Sequence, residues 1–241
     1  MTNNLKTVIL CGGRGRRMGF ENIPKPLFKI GDKPILWHIM KSYENFGFRD
    51  FILLLGYEKE KIIEYFKNYK GWRIKFVDTG LNTNTGGRIK RIEKLIQEDF
   101  FFATYGDGLS DVDLSRLLAF HRQHNKTATL TSVRPYSQFG IMGIDSHTNM
   151  VTHFEEKPIL DHWVNGGFFV FNREVFEYMQ NDDVLESDTF SRLVRAKKLS
   201  AYKHYGFWEC MDTYKDNLKL NQLWSEGSSP WAAWRRRKRV R

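Results

Sequence analysis

The stretch from Cys11 to Leu27 opens with three glycines in five residues, Gly12, Gly13 and Gly15. It also carries four cations: Arg14, Arg16, Arg17 and Lys25. Glycine lets backbone N–H groups approach a ligand closely, and neighbouring cations favour an anion. A glycine-rich, basic turn after the short apolar run Lys6-Thr7-Val8-Ile9-Leu10 is therefore a candidate phosphate cradle. A plain tight turn has the same composition, and both readings stand at this point. Two familiar phosphate motifs do not fit. No Gly-Lys-Ser/Thr triplet closes a P-loop. Gly13-Arg14-Gly15 opens a dinucleotide fingerprint, but Met18 stands where the third glycine belongs and Gly19 comes one place late. Pro24 and Pro26 argue for extended backbone where that motif needs a helix.

Carboxylates supply the complementary chemistry. Tyr105-Gly106-Asp107-Gly108 follows a Phe-rich apolar run. A carboxylate there suits Mg²⁺, which takes one or two carboxylates, phosphate oxygens and waters. It also suits an ordinary turn aspartate. Asp212 precedes a helical pattern and fits either a second metal ligand or a helix N-cap. Glu155-Glu156-Lys157-Pro158 ends another apolar run, where Lys157 offers an anion site and Glu156 an acceptor for hydroxyls. Asn165-Gly166-Gly167 presents an amide suited to a polyol. Together these groups point to a phosphorylated substrate, a sugar and a divalent metal.

Stepping from groups to scaffold, apolar runs alternate with helical periodicity. Val8–Leu10, Phe51–Leu55, Ile74–Val77, Phe100–Tyr105 and Ala128–Val133 read as strands. Leu36/Ile39/Met40/Tyr43, Lys59–Phe66, Ile89/Ile92/Ile96 (opening after Gly86-Gly87) and Leu114/Leu117/Leu118 read as helices. This β-α-β-α order predicts an α/β fold, a three-layer, mainly parallel sheet. Ligands in such sheets bind beyond the carboxyl ends of the strands. The second half predicts short strands near 140–144, 150–155 and 167–171, helices near 173–179 and 188–195, and a last helix over 212–224. It adds strands to the same sheet and a substrate subsite.

Composition bounds the rest. The 241 residues are 41 % hydrophobic and 15 % aromatic, enough for a buried core. No apolar run reaches the ~18 residues of a membrane span, and no signal-peptide core opens the chain. Two cysteines without metal-type spacing predict free thiols and a cytoplasmic protein. The formal net charge is +10, and the six cations of 235–241 account for more than half of it. We read 1–234 as a single domain and 235–241 as a basic, disordered tail. A nucleic-acid partner rests on that tail alone and is not expected.

The motifs resemble those of the sugar-1-phosphate nucleotidylyltransferases, whose signature loop G-G-x-G-x-R-(L/M), then K-P, is here Gly12 to Met18 and then Lys25-Pro26. The resemblance covers nearly the whole chain and implies a Rossmann-like sheet of the nucleotide-diphospho-sugar transferase type. Within the family the likeness is to the CTP-using enzymes that act on glucose 1-phosphate, carried by KPILWHIMKSY, VDTGLNTNTGGRIKRI, ATYGDGLSDVDL, FEEKP, VNGGFFVFN and GFWECMDTYKDN. It implies a transferase that forms CDP-glucose, releases pyrophosphate and serves deoxysugar or surface-polysaccharide synthesis. Gly12, Gly13, Arg14, Gly15, Lys25 and Gly86 would hold the nucleotide. Arg17 and Lys25 would neutralise the triphosphate and the leaving pyrophosphate. Gly140, Glu156, Lys157 and Asn165 would bind the sugar phosphate, with Lys157 aligning the attacking group. Asp107 and Asp212 would hold Mg²⁺, and the protein would be a homo-oligomer.

The chain departs from the pattern at one connection. Family members carry a longer insert after the helix ending near Phe66, tied to subunit assembly and bearing on the nucleotide site, where this chain has only Lys67 to Trp72. Oligomeric state and base preference are therefore open at this stage. Uridylyl or thymidylyl transfer, another sugar phosphate, and a non-catalytic nucleotide-sugar binder remain as alternatives.

Overall fold

Side chains alternate across a strand, so a strand that is apolar at every position must be covered on both faces. Phe51-Ile52-Leu53-Leu54-Leu55 is such a run, and all five residues are buried. Phe51, Leu53 and Leu55 join one core cluster, Ile52 and Leu54 the other. The same alternation divides Ile9 from Val8 and Leu10. Three layers follow from that division.

The computed structural model describes residues 5–13 and 23–236. Along the chain come β1 (Lys6–Leu10), a tight pair β2 (Lys29–Ile30) and β3 (Lys33–Pro34), α1 (Ile35–Asn45), β4 (Asp50–Leu55), α2 (Lys59–Phe66), β5 (Arg73–Asp78) and α3 (Thr85–Lys90). Next are β6 (Phe100–Tyr105), β7 (Gly108–Ser110), α4 (Leu114–His124), β8 (Ala128–Val133), β9 (Ile141–Ile144), β10 (Val151–Glu155) and β11 (Val164–Asn172). The chain continues with α5 (Phe190–Arg195), β12 (Leu199–Lys203), β13 (Trp208–Cys210), α6 (Tyr214–Ser225) and α7 (Ala233–Arg236).

The central sheet has seven strands in the order β12-β8-β11-β6-β1-β4-β5. All neighbours pair parallel except β11, which runs antiparallel to both β6 and β8. The expected mainly parallel α/β sheet is present, with β11 and β12 as the strands added by the second half. The apolar stripes of α1, α2, α4 and α6 cover one face, and α3 and α5 cover the other. β9 and β10 form a separate two-stranded sheet that exposes Ile141, Met142, Ile144 and Phe154.

Several local expectations change. Pro24 precedes and Pro26 lies within a single 3-10 turn, Lys25–Leu27, in place of extended chain. Gly86 and Gly87 lie inside α3 instead of before it, and the helix ends at Lys90, well short of Ile96. Arg173–Tyr178 is 3-10 rather than α. The 185–195 segment starts as a π-helical turn, Leu185–Thr189. Arg235, read with the basic tail, donates to Trp224 O at 2.9 Å and stacks over the Trp224 ring.

The C-terminal segment closes over a buried histidine. His38 on α1 donates from Nε2 to Ile30 O at 2.9 Å, while Trp231 Nε1 faces Nδ1 at 3.4 Å. Trp37 and Trp224 present rings edge-on to it. Burial pushes the His38 pKa down from 6.5 to about 4. The native imidazole is thus neutral where the unfolded one takes up a proton. Stability from this site is complete above pH 6.5 and is lost as pH falls toward 4, by about 3 kcal/mol in all. Chemical denaturation across that window should show the slope in the native chain and not in His38→Gln, which keeps an N–H donor but does not titrate. An equal slope in both would remove His38 from the account.

Candidate active site

β1 and β6 run side by side in register, with Leu10 opposite Tyr105, so both strands release their chains at one edge. Gly106 N donates to Leu10 O at 3.0 Å. A Cβ on Gly106 would sit 2.9 Å from that carbonyl and 3.3 Å from the Pro26 ring, so only glycine lets the Lys25 turn close over this corner. β7 then pairs antiparallel with β13, with Cys210 opposite Gly108, and Met211 N donates to Asp107 O at 2.9 Å. Two segments about a hundred residues apart are clamped together, and Asp107 and Asp212 face one another.

Lys25 stands between them. Its Nζ lies 2.8 Å from Asp107 Oδ2 and 2.5 Å from Asp212 Oδ1. Burial pulls the Lys25 pKa down, but the Asp107 and Asp212 carboxylates outweigh it, and the ammonium is held above the ordinary lysine value. Asp212 is not the cap of the following helix. Thr213 caps α6 and forms a reciprocal capping box with Asp216, which leaves the Asp212 carboxylate directed at Lys25. Oxygen donors from Asp107 and Asp212 and the Cys210 sulfur lie within 4.8 Å of one another. The two carboxylates, gathered about a positive charge, fit a hard divalent cation such as Mg²⁺.

A cavity of about 490 Å³ opens over this edge, lined by Gly12, Gly13, Lys25, Asp107 and Asp212 together with Asn84, Thr85, Arg88, Tyr105 and Glu186. Burial, then the nearby Asp107 charge, raises the Cys11 pKa; burial, Asp107 and Asp212 raise that of Cys210. Both are neutral thiols at physiological pH, so neither is a poised nucleophile.

Arg88 is the unanticipated element of the site. It is buried on α3 and donates to Leu55 O, the Thr79 hydroxyl, Gly80 O, Gly12 O and Leu81 O at 2.6–3.3 Å. One guanidinium therefore joins the loops that leave β1, β4 and β5. A Cβ on Gly12 would stand 2.2 Å from Arg88 Nη1. Gly12→Ala should displace that side chain or the loop and raise the KM for nucleotide at least about tenfold; an unchanged KM would separate this loop from nucleotide binding. Gly86 is buried, and a Cβ there would come 2.8 Å from Asp183 Cβ, so its local role is close packing beside the pocket residue Thr85.

Asn165 belongs to a larger polar group. The β11 register slips between Asn165 and Phe169, a bulge of the kind that re-aims side chains. Asn165 Nδ2 donates to the Tyr105 hydroxyl at 3.3 Å, and Tyr105 in turn hydrogen-bonds Glu186, which also accepts from Thr85 Oγ1 at 3.2 Å. Burial and the Glu186 charge raise the Tyr105 pKa, so the phenol stays protonated. Tyr105 and Glu186 are far apart in sequence, and only the long contact between their segments could have paired them.

Among the other expected residues, Gly140 and Glu156 come together, since a Cβ on Gly140 would lie 3.0 Å from Glu156 Oε2. Lys157 adopts φ +50° and pairs with Glu156 at 3.1 Å. Both side chains are exposed beyond β10, and neither lines the cavity. Arg14, Gly15 and Arg17 lie outside the described residues.

A family model described as nucleotidyl transferase matches residues 6–225. A Bacillus subtilis protein named "Probable glucose-1-phosphate cytidylyltransferase" is 41 % identical, over 95 % of this chain and 100 % of its own. The glucose-1-phosphate cytidylyltransferase of Salmonella typhimurium is 40 % identical over the same shares. A mannose-1-phosphate guanyltransferase of Saccharomyces cerevisiae is 30 % identical over 91 % of this chain and 64 % of its own. The crystal structure of HddC from Yersinia pseudotuberculosis superposes with a TM-score of 0.72 at 23 % identity, covering 91 % of this chain and 99 % of that one.

Proposed function

This chain belongs to the nucleotidyl transferase family, and from that membership we propose that it transfers a cytidylyl group from CTP to glucose 1-phosphate, forming CDP-glucose and releasing pyrophosphate. The observation that carries the chemistry is Lys25 set between Asp107 and Asp212 beside the Gly12-Gly13 backbone. The choice of CTP and glucose 1-phosphate rests on relatives that match over their full length.

The reaction needs no protein nucleophile, because a sugar-phosphate oxygen attacks the α-phosphorus in line. Catalysis is then positioning and charge stabilisation. Asp107 and Asp212 are the residues that would hold Mg²⁺, which neutralises triphosphate charge when bound. Lys25 stays protonated and stabilises the leaving pyrophosphate, with Arg17 assigned the same task from the motif. The Gly12 and Gly13 backbone receives the phosphates, and Arg88 keeps that loop in place. Asn165, Tyr105 and Glu186 form a hydrogen-bonding run suited to sugar hydroxyls. Glu156 and Lys157, exposed beyond β10, are assigned to the sugar phosphate from the motif.

The exposed Ile141, Met142, Ile144 and Phe154 support a homo-oligomer, since apolar groups clustered on one small sheet mark an association surface. No helix among the described residues is long and apolar enough to cross a membrane. Cys11 and Cys210 are free thiols, which fits a reducing compartment such as the cytoplasm. A product of this kind would feed deoxysugar or surface-polysaccharide synthesis.

Pyrophosphate release with Mg²⁺ and glucose 1-phosphate, offering CTP, UTP, dTTP, ATP and GTP separately, tests the reading. Release with CTP at least about tenfold above the others is expected, the margin that one or two base hydrogen bonds supply. Preference for another nucleotide would reassign the base, and silence with all five would overturn the enzyme reading for this acceptor.

A further inference from the structure

Two three-residue strands, β7 and β13, carry Asp107 and Asp212 at one end of a ribbon. Two strands of that length are marginal in water unless something else holds them. At the ribbon's other end stands His204, where the chain leaves β12 and turns toward β13. Its Nε2 lies 2.9 Å from Asp111 Oδ1 and 3.2 Å from Phe207 O. We propose that His204 and Asp111 are positioning residues, a pair that pins the ribbon shut and so sets Asp212 against Asp107 and Lys25. The pair's effect on turnover rests on the proposed function; its effect on the ribbon does not.

Both groups facing His204 Nε2 are acceptors, a carboxylate and a carbonyl, so this nitrogen bears a proton and donates to them. Phe207 O also accepts from Ser110 Oγ at 2.8 Å and from Asp111 N at 3.2 Å. One carbonyl thus gathers the outer ends of both strands. The pin is anchored in turn to the central sheet, because His204 N donates to Ser132 O of β8 at 2.9 Å. The chain closes directly over the pair at Gly206, where a Cβ would stand 2.4 Å from Asp111 Oδ1 and 2.8 Å from His204 Cε1. His204 is half-buried, Asp111 is exposed, and neither lines the cavity, so both act through the strands and not on a substrate. The path to the carboxylates is short. Trp208, Glu209 and Cys210 face Ser110, Leu109 and Gly108, and Met211 N then meets Asp107 O. Opening the pinned end frays these rungs in order, and the last of them spaces Asp212 from Asp107. Misplacing such a group by about 1 Å costs about 10²-fold in rate.

Amide hydrogen exchange in the full chain, read residue by residue by NMR, and pyrophosphate release with Mg²⁺ and CTP test the pair together. His204→Ala should speed exchange of the Met211 amide at least about tenfold. It should lower kcat at least about tenfold and leave the KM for nucleotide within about twofold, since the Gly12–Gly13 loop is untouched. His204→Gln, which restores a side-chain N–H donor, should recover most of both. Asp111→Ala should match His204→Ala, and the double variant should be no worse than either. Gly206→Ala keeps both groups but crowds them apart, and should also speed Met211 exchange. Unchanged exchange in His204→Ala, equal losses in His204→Gln and His204→Ala, or additive losses in the double variant would each overturn the proposal. Faster exchange with an unchanged kcat would overturn the positioning role. If the native chain releases no pyrophosphate, the assigned activity fails, and the exchange rates still decide whether the pair holds Asp212 in place.

Discussion

Asp107→Ala should lower kcat for pyrophosphate release about 10³-fold while leaving the fold intact. The size follows from what is removed, a preorganised charge at the place where phosphate charge is redistributed; losses of about 10²–10³ accompany removal of even one such group elsewhere. The fold should survive because the Asp107 side chain supports little of it. Its backbone carbonyl, which holds Met211, is unchanged by the substitution. Lys25 keeps Asp212 as a partner. A melting temperature within a few degrees of the native value is expected alongside the loss of turnover. Lys25→Ala should also abolish most turnover, but with the opposite effect on the metal. Removing the ammonium leaves two carboxylates facing each other with no competing charge, so the Mg²⁺ concentration for half-maximal binding should fall. Near-normal turnover in Asp107→Ala, or weaker Mg²⁺ binding in Lys25→Ala, would show that these residues do not form the cation site.

The second large effect belongs to Arg88→Met. Methionine replaces the aliphatic stem of the side chain, but it stops short of the guanidinium and offers no donor. Four backbone carbonyls and the Thr79 hydroxyl would lose a charged donor; Leu55 O keeps Thr79 N and Oγ1, and Gly12 O keeps Tyr57 N, while Gly80 O and Leu81 O, both part-buried, lose the donor that holds their loop. Buried polar groups left unpaired cost about 1–3 kcal/mol each, reduced where water enters. A net loss of about 3 kcal/mol or more follows, or roughly 6–12 °C in melting temperature for a domain of this size. Arg88→Lys should not restore it, since a single ammonium cannot span the carbonyls of three loops. Thermal melts of both variants, read beside the KM for nucleotide, check the claim. A melt like the native one would mean that the three loops hold themselves.

Much of the fold was legible because periodicity alone states it. The run at Phe51–Leu55 could only be a strand covered twice, and α2 spans the very residues, Lys59–Phe66, that its stripe marks. β12 was missed for the converse reason. Leu-Ser-Ala-Tyr-Lys at the edge of the sheet has no buried residue, being half-buried or exposed along its length, and carries no strong apolar signal. The Gly86-Gly87 pair reads as a helix breaker, yet it lies within α3, where the backbones of Asn181 and Asp183 leave no room for side chains. Packing there overrides propensity. In the site, Lys25, Asp107 and Asp212 were legible because each stands within a recognisable motif, Lys25 in the glycine-rich basic loop and the two aspartates just after apolar segments. Tyr105 and Glu186 acquire meaning only from a contact across 81 positions. Arg88 lay in plain view in Thr-Gly-Gly-Arg, but nothing local distinguishes a keystone from a surface cation.

The clamp between β7 and β13 also sets a timetable for the nascent chain. Asp107 leaves the ribosome long before Asp212, by roughly 5–20 s at ~5–20 residues per second. During that interval β1, β4, β5 and β6 are all available, and Arg88 can already tie their loops together. The growing polypeptide then carries Lys25 and Asp107 but lacks Glu186, the Asn181–Asp183 backbone on which α3 packs, and the second carboxylate. The second carboxylate arrives only with a segment synthesised about a hundred residues later, so the cation pair is a late event in the life of the nascent chain.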